Sequence, residues 1–525
     1  MATESATVAS RAVASPSRRH WLPVVVLTFV GGALRLWRLD HQSLWLDEVL
    51  TVLNSKTSLF LLLTDPAVDP NIPPLYYLLI HFILPFGQSE VLLRLPSVMV
   101  GTLSIPILYE VVRRWAGGRA ALISAGVLTL SPFHVWYSQE ARPYGLLLFL
   151  ALASLWFLQN LLGRPDSKSL AAGFLVCAAG AFYTHTVALP FLGVLGLYVL
   201  LVTPRRDLAG RAWLAVILIL LLAPAVYRLA MLPPDASANP HYQFQPAHLA
   251  YALWAFGTGF SLGPNLVELR TQGLASVARG ILVVGPVVAV MLTLLVAGTA
   301  HLWRVDRRLF CILVAMLALP IGFAAIGSVL TVHPFNVRYA ITAFPAYVAL
   351  IGIGAAALPS YARAGVLGAL LLVSVTSLVN YYDNPRYQRE DTRAAVGFLN
   401  SQASEGDLVV SSAAYMTVVI RHYDLRNDLE LVGYPRRGII RPAAFDLEET
   451  DLSARFVVPK EVAEELGAIV GTRPSVWVFL SRTFHSDPEG SILKYLDTRM
   501  RRDTEFTGAG VRVVRYSARP LRPGG

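Results

Sequence analysis

Cysteine is nearly absent from these 525 residues: Cys177 and Cys311 stand alone, each inside an apolar run. That argues against a disulfide framework and against a cysteine-ligated metal cluster. Lysine is scarce too, confined to Lys56, Lys168, Lys460 and Lys494, so arginine carries most of the basic charge. Charge of either sign is thin, at 15% of residues, where a soluble domain carries about 25%. A small-residue cleavage site is also missing after the first apolar stretch, Trp21–Trp37, which runs instead into Arg35 and Arg38. The N-terminus therefore reads as a retained helix, not a removed leader. No internal repeat is visible.

What the chain has in abundance is apolar side chains, 55% of the total. Runs such as Leu214–Ala223, Gly280–Ala300 and Gly365–Val379 hold almost no charge. Stretches of about 20 apolar residues match the hydrocarbon thickness of a bilayer. The net charge of +10 raises the question of nucleic acid. The basic residues, however, sit in short clusters between apolar spans, the pattern that orients membrane proteins. The expected surroundings are a lipid bilayer, with no nucleic acid.

Positive-inside reasoning then sets a topology. Cytoplasmic clusters are read at Arg11–Arg19, Arg113–Arg119, Arg164–Lys168, Pro204–Arg211, Arg304–Arg308 and Tyr361–Arg363. Between them fall spans near 20–38, 91–112, 119–137, 142–162, 169–185, 186–203, 212–230, 277–301, 309–330, 337–356 and 365–382. The expectation is a polytopic α-helical membrane protein of about eleven transmembrane helices. Residues 1–19 form a cytoplasmic tail, and residues 383–525 a small external α/β domain. Pro74–Gly87 is too short to span, and crossing there would put every later basic cluster outside. It reads as an interfacial helix within a first external loop of about 39–90. Leu249–Phe260 is a second interfacial candidate. Beyond Tyr382, a helix-like stretch (Thr392–Leu399) and strand-like runs (Leu408–Ser411, Val476–Leu480, Val511–Tyr516) mark the external domain.

Polar residues beside membrane spans are costly, roughly 2.5–3.5 kcal/mol each at mid-helix, and here this topology gathers them at one face. They are Arg35, Arg38, Asp40, His41, Asp47, Glu48, Arg94, Glu140, Arg142, His185, His333, Arg338 and Tyr339. Helix-end caps and interfacial anchors would account for any one of them. As a group outside the membrane, the arginines ask for an anionic partner, and a lipid-linked phosphate fits. Asp47-Glu48 follows Leu44-Trp-Leu46, a headgroup-level anchor. There it reads as a general base for a hydroxyl, a ligand for a divalent cation, or a helix N-terminal cap.

Three strings sharpen this. Arg35-Leu-Trp-Arg-Leu39, Leu44-Trp-Leu-Asp-Glu48 and Pro73-Pro-Leu-Tyr-Tyr77 together resemble the first-loop signature of glycosyltransferase family 39. That group includes protein O-mannosyltransferases and the lipid A aminoarabinose transferase, and has the GT-C fold. Further matches are Arg94-Leu-Pro96, Ser138-Gln-Glu-Ala-Arg142 with Tyr144, His185 in Thr184-His-Thr186, and Arg338-Tyr339 followed by Pro345. The resemblance covers about residues 30–350. It implies Asp47 as the catalytic carboxylate, with Glu48 assisting. It also implies Pro73–Tyr77, including Tyr76 and Tyr77, as the start of a helix bordering the donor lipid. Arg338 and Tyr339 would lie near the donor phosphate, with Arg35, Arg94 and Arg142 as further candidates. Glu140, Tyr144, His185 and Asn71 complete the set. The chain departs from many relatives in carrying Ile72, not Lys, His or Asn, before the Pro-Pro pair, with Asn71 one residue earlier.

The implied reaction moves a sugar from a polyprenyl-phosphate donor to a hydroxyl of a glycan, lipid or protein at the non-cytoplasmic face of the plasma membrane. No cofactor is demanded; a divalent cation at Asp47 and Glu48 is the one candidate. The rival from another class is a secondary transporter or lipid flippase, which would place charge at mid-bilayer and show inverted repeats. A scaffold anchoring its external domain is a third reading, and it leaves the polar group unexplained.

Overall fold

Apolar runs become helices because a bilayer offers no partner for an unpaired backbone amide or carbonyl. The structure, a computed structural model, describes residues 21–65, 68–69, 73–231, 244–265, 268–269, 272–331, 334–424, 426, 428–435, 457 and 461–519. The chain divides into two units. One takes in Leu39 and the described residues before it, Ser58–Asn265 and Leu274–Tyr381. The other takes in Asp40–Thr57, Leu266–Gly273 and the chain from Tyr382.

In the first unit every expected span carries a helix. They are Trp21–Leu36, Glu90–Leu130, Tyr144–Gly163, Lys168–Thr184, Leu189–Val202, Ala212–Ala230, Ile281–Val305, Arg307–Thr331, Phe344–Ala357 and Ser360–Asp383. Glu90–Leu130 is two helices joined at Gly117, whose φ of 84° and ψ of 172° break the helix. A side chain would cost roughly 1–3 kcal/mol in that conformation. Among the described residues, seven helices are long and apolar enough to cross a membrane, counting Glu90–Leu130 once. Exposed apolar side chains such as Ile219, Leu282, Leu330 and Leu372 are at home against lipid. This is a multi-pass membrane protein.

Several boundaries differ from the sequence reading. The span expected to run to 137 stops at Leu130. Pro132 has no amide hydrogen with which to continue it, and Ser131 instead caps a new short helix, Pro132–Ser138, its Oγ accepting from His134 N at 3.2 Å. His185 likewise separates two spans, its Nδ1 accepting from Val187 N at 3.3 Å. The span near 337 opens with a 3-10 turn, Val337–Ala343, before its helix. The two shorter apolar segments are helical, at Leu75–Ile83 and Ala247–Thr258.

Phe344–Ala357 is the innermost helix of this unit, buried from Phe344 through Ala355. Its glycines explain how neighbours come so close. A Cβ at Gly352 would collide with Ser124, and one at Gly354 with the Leu294 carbonyl of helix Ile281–Val305. Close approach through small residues is how membrane helices gain packing energy without a hydrophobic drive.

The second unit holds a five-stranded sheet of order β2-β1-β3-β5-β4. Its strands are β1 Leu408–Ser411, β2 Glu430–Gly433, β3 Ser475–Ser481, β4 Met500–Gly508 and β5 Val511–Ala518. β2, β1 and β3 run parallel, while β3-β5-β4 is antiparallel. Alternate side chains feed two cores. Val410, Val478 and Val514 meet Leu466 and Leu496 on one face; Val409, Trp477 and Val513 meet Val396 and Leu399 on the other. The first-loop stretch Asp40–Thr57, which sequence groups with the membrane module, clusters with this unit. Ser43 Oγ donates to the Glu390 carbonyl at 2.7 Å, and Leu44 N to Tyr423 Oη at 2.6 Å.

The glycine contacts predict a contrast. Gly354→Leu drives a side chain into the Leu294 carbonyl and should abolish the monodisperse, detergent-stable protein. Gly368→Leu, where nothing lies within 4 Å of the added Cβ, should retain wild-type yield and melting temperature. Size-exclusion profiles and thermal melts of the two variants check this.

Candidate functional site

In the first unit the candidate residues come from four separate stretches of chain. Helix Pro132–Ser138 ends in the turn that carries Glu140 and Arg142, and Pro143 then starts helix Tyr144–Gly163. Gln139 pins that turn, its Nε2 donating to the carbonyls of Arg35 and Trp37 at 2.9 Å each. Trp136 Nε1 donates to Glu140 at 2.7 Å. Tyr144 stands 5.5 Å from His185 between ring centroids, and His185 stands 6.0 Å from Tyr339. The Arg338 guanidinium lies 5.7 Å from the Tyr144 ring and 5.3 Å from that of Tyr339. The charges of Arg142 and Arg338 both reach His185. Tyr76 joins from helix Leu75–Ile83, its hydroxyl 3.0 Å from Ser97 Oγ, which donates to the Arg142 carbonyl at 3.5 Å.

The Arg338 guanidinium set between the Tyr144 and Tyr339 rings, with the Arg142 charge acting on His185 beside them, makes a chemically distinct place. Guanidinium is weakly hydrated and stacks on rings while keeping its N–H fork for an oxyanion. Arg142, Arg338, Tyr144, Tyr339, His185 and Glu140 are thus gathered by the fold. Arg35 and Arg94 have other company. Arg35 is fully buried and donates to the carbonyls of Gly31 at 2.8 Å, Leu128 at 3.1 Å and Thr129 at 3.3 Å, and to His134 Nδ1 at 2.6 Å. It thereby satisfies the carbonyl end of the helix that stops at Leu130. Arg94, also buried, donates to the Leu39 carbonyl at 2.8 Å. Tyr77 is buried and donates to Asp69. Asn71 and His333 lie outside the described residues.

The two carboxylates belong to the second unit, in the first turn of helix Leu46–Lys56. Glu48 reaches back to accept from Trp45 N at 3.4 Å and pairs with Arg389 at 3.4 Å, its side chain wholly buried. The Arg389 guanidinium also stacks over Trp45 at 5.5 Å. The cap expected as one option for this pair is therefore made by Glu48. Asp47 is half-buried beside it, and its charge reaches Arg482. Arg482 binds Glu390 at 2.8 Å. Burial alone would raise the Glu390 carboxyl, but the attraction and hydrogen bond of Arg482 outweigh it and hold it below its ordinary value. Burial likewise works against the Arg482 cation, and Glu390 more than restores it. Sequence reasoning missed Arg389, Glu390 and Arg482, because none sits in a motif.

For a divalent cation, the donors nearest to hand are few. Among the described residues no three of His, Cys, Asp and Glu gather as a metal site would need, and Glu48 is already engaged by Arg389.

Known proteins place this architecture. A family model described as dolichyl-phosphate-mannose-protein mannosyltransferase matches residues 71–227. No curated protein matches the chain. Among solved structures, ArnT from Cupriavidus metallidurans in the apo state aligns at TM-score 0.55 and 14% identity, over 94% of this chain and 97% of that one. The same enzyme bound to undecaprenyl phosphate aligns at 0.54 and 16%, over 95% and 98%. The Archaeoglobus fulgidus oligosaccharyltransferase in the apo form aligns at 0.51 and 12%, over 96% and 75%. Identities this low speak to fold. The fold is GT-C with a small C-terminal sheet domain, and the family model agrees with the family 39 resemblance over residues 71–227, which include the Pro73-Pro-Leu-Tyr-Tyr77 string.

Glu48 is the residue whose local role can be weighed now. Breaking a buried ion pair by removing one partner costs roughly 3–5 kcal/mol. Glu48→Ala should therefore lower the melting temperature of the full-length protein in detergent by several degrees. Glu48→Gln, which keeps an acceptor for Trp45 N, should lose less. Equal melts for both variants and wild type would remove the cap and the Arg389 pair from the stability of the unit.

Proposed function

We propose that this protein is a glycosyltransferase that moves a sugar from a polyprenyl-phosphate donor to the hydroxyl of a glycan, lipid or protein. The observation that carries the proposal is the convergence of Arg142 and Arg338 with Tyr144, Tyr339 and His185. Such a set suits a phosphate with an apolar tail, because charge-assisted N–H contacts hold the oxyanion while ring faces flank it. The donor class is supported by the undecaprenyl phosphate held by the ArnT structure of the same fold. It is supported also by the dolichyl-phosphate-mannose of the matching family description.

In the proposed reaction Asp47 takes the proton of the acceptor hydroxyl. The acceptor oxygen forms its bond to the anomeric carbon as the bond from that carbon to the phosphate oxygen breaks, in line and with inversion. The electron pair leaves with polyprenyl phosphate, whose charge Arg142 and Arg338 stabilise. Phosphate leaves without needing a proton, so one carboxylate suffices, and Asp47 later releases its proton to water. In this reading the N-terminus is cytoplasmic and the C-terminal domain lies outside the plasma membrane, which the basic clusters between the spans support.

Incubating the purified protein in detergent with mannosyl, glucosyl and arabinosyl polyprenyl phosphates, and measuring released polyprenyl phosphate, tests this without a sealed compartment. Transport would need one. Asp47→Asn should cut turnover about 10²–10⁴-fold while insertion and melting persist. Arg338→Ala should weaken donor use more than Arg338→Lys does. Wild-type turnover by Asp47→Asn would remove Asp47 from the chemistry, and no release with any donor would sink the reading.

A further inference from the structure

We infer that Arg482, within the second unit, is a positioning residue for the Asp47 carboxylate. The inference rests on the reading of Asp47 just given. It starts from the backbone. Arg482 follows directly on β3 and has φ +52°, the left-handed region that favours glycine. Nothing about the chain turn itself asks for arginine there, so the side chain must supply the reason.

That side chain is directed. Its Nε donates to Glu390 at 2.8 Å, and its guanidinium lies 5.8 Å from the Tyr415 ring. The residue before it is fixed, with Ser481 N donating to Ser412 Oγ at 3.2 Å and Ser412 N to the Phe479 carbonyl at 2.9 Å. Glu390 is in turn tied to the first loop, since its carbonyl accepts from Ser43 Oγ at 2.7 Å. Its chain neighbour Arg389 pairs with Glu48 and stacks on Trp45. Consecutive residues 389 and 390 thus serve consecutive acids. Arg389 holds Glu48 directly, and Glu390 holds Arg482, whose charge interacts with Asp47. β3 is flanked by parallel β1, and the carboxyl ends of parallel strands are where α/β sheets commonly present functional groups.

Arg482→Gly relaxes the left-handed backbone but strands the Glu390 carboxylate, so its effect is read against a variant that removes both partners. The double variant Glu390→Gln/Arg482→Gly removes the ion pair as a whole and leaves no stranded carboxylate. Full-length proteins in detergent are assayed with the polyprenyl-phosphate sugar on which wild type is most active, and each is melted. The expected result is a fall in kcat of at least tenfold for both glycine variants. Donor KM should stay within about twofold, the double variant should melt as wild type does, and Arg482→Lys should recover most of kcat. A double variant with wild-type kcat would overturn the inference while leaving Asp47 in its role. So would losses that follow the melting temperature and are not rescued by lysine. No release even by wild type would overturn the functional reading itself, and this inference with it.

Discussion

A membrane helix cannot simply stop, because its last carbonyls have no water to turn to, and each unsatisfied one costs several kcal/mol in hydrocarbon. Arg35 resolves that problem at the most consequential point of the first unit. Its buried guanidinium donates to the carbonyls of Leu128 and Thr129, just before Ser131 and Pro132 break the helix. Everything in the segment 137–144 depends on that break. Gln139 then holds the turn to the carbonyls of Arg35 and Trp37, so one arginine and one glutamine fix where Glu140, Arg142 and Tyr144 emerge. An arginine here is structural wiring for the site even where its contacts are all with the backbone.

The same economy recurs at His185, which ends one span, caps the next through Nδ1, and faces Tyr144 and Tyr339. Residues that interrupt helices are natural places for polar side chains, since the interruption already needs hydrogen-bonding partners. Helix termination and the polar cluster of the candidate site therefore draw on the same residues. The fold answers by giving each a neighbour: Trp136 for Glu140, ring faces for Arg338, and the Ser97 hydroxyl for the Arg142 carbonyl. The innermost helix, Phe344–Ala357, supports this by packing through glycine against its neighbours, which leaves little room for the 3-10 turn carrying Arg338 to drift.

What sequence makes legible is thickness and sign. Apolar length located each span, and β1, β3 and β5 stood out as short runs of Val, Leu and aromatic residues. β2 and β4 did not. Glu430–Gly433 is short, and Met500–Gly508 is an edge strand carrying Arg501, Arg502, Asp503 and Glu505, charges that protect an edge and hide its strand character. The end at Leu130 was missed because an apolar count runs through Pro132-Phe133 without registering a cap. The clustering of Asp40–Thr57 with the second unit was illegible for a different reason. Arg389 and Glu48 are 341 residues apart, and no local pattern reports a pairing over that separation.

The adjacent acids show why a motif identifies a place without dividing its labour. Neighbouring residues on an α-helix point about 100° apart, since 3.6 residues complete a turn, so Asp47 and Glu48 cannot both face the same side. Glu48 occupies the third position of the helix, from which a carboxylate reaches back to the Trp45 amide, and that geometry turns it inward onto Arg389. Asp47, one position earlier, is left half-buried and within the field of Arg482. The helix N-terminus favours negative charge at both, and Glu48 is the one that reaches Trp45 and Arg389. Order within the pair therefore matters to the helix: exchanging Asp47 and Glu48 would keep the composition and lose the cap and the ion pair, because the shorter aspartate at the third position would have to make the reach to Trp45 while the glutamate swung away from Arg389.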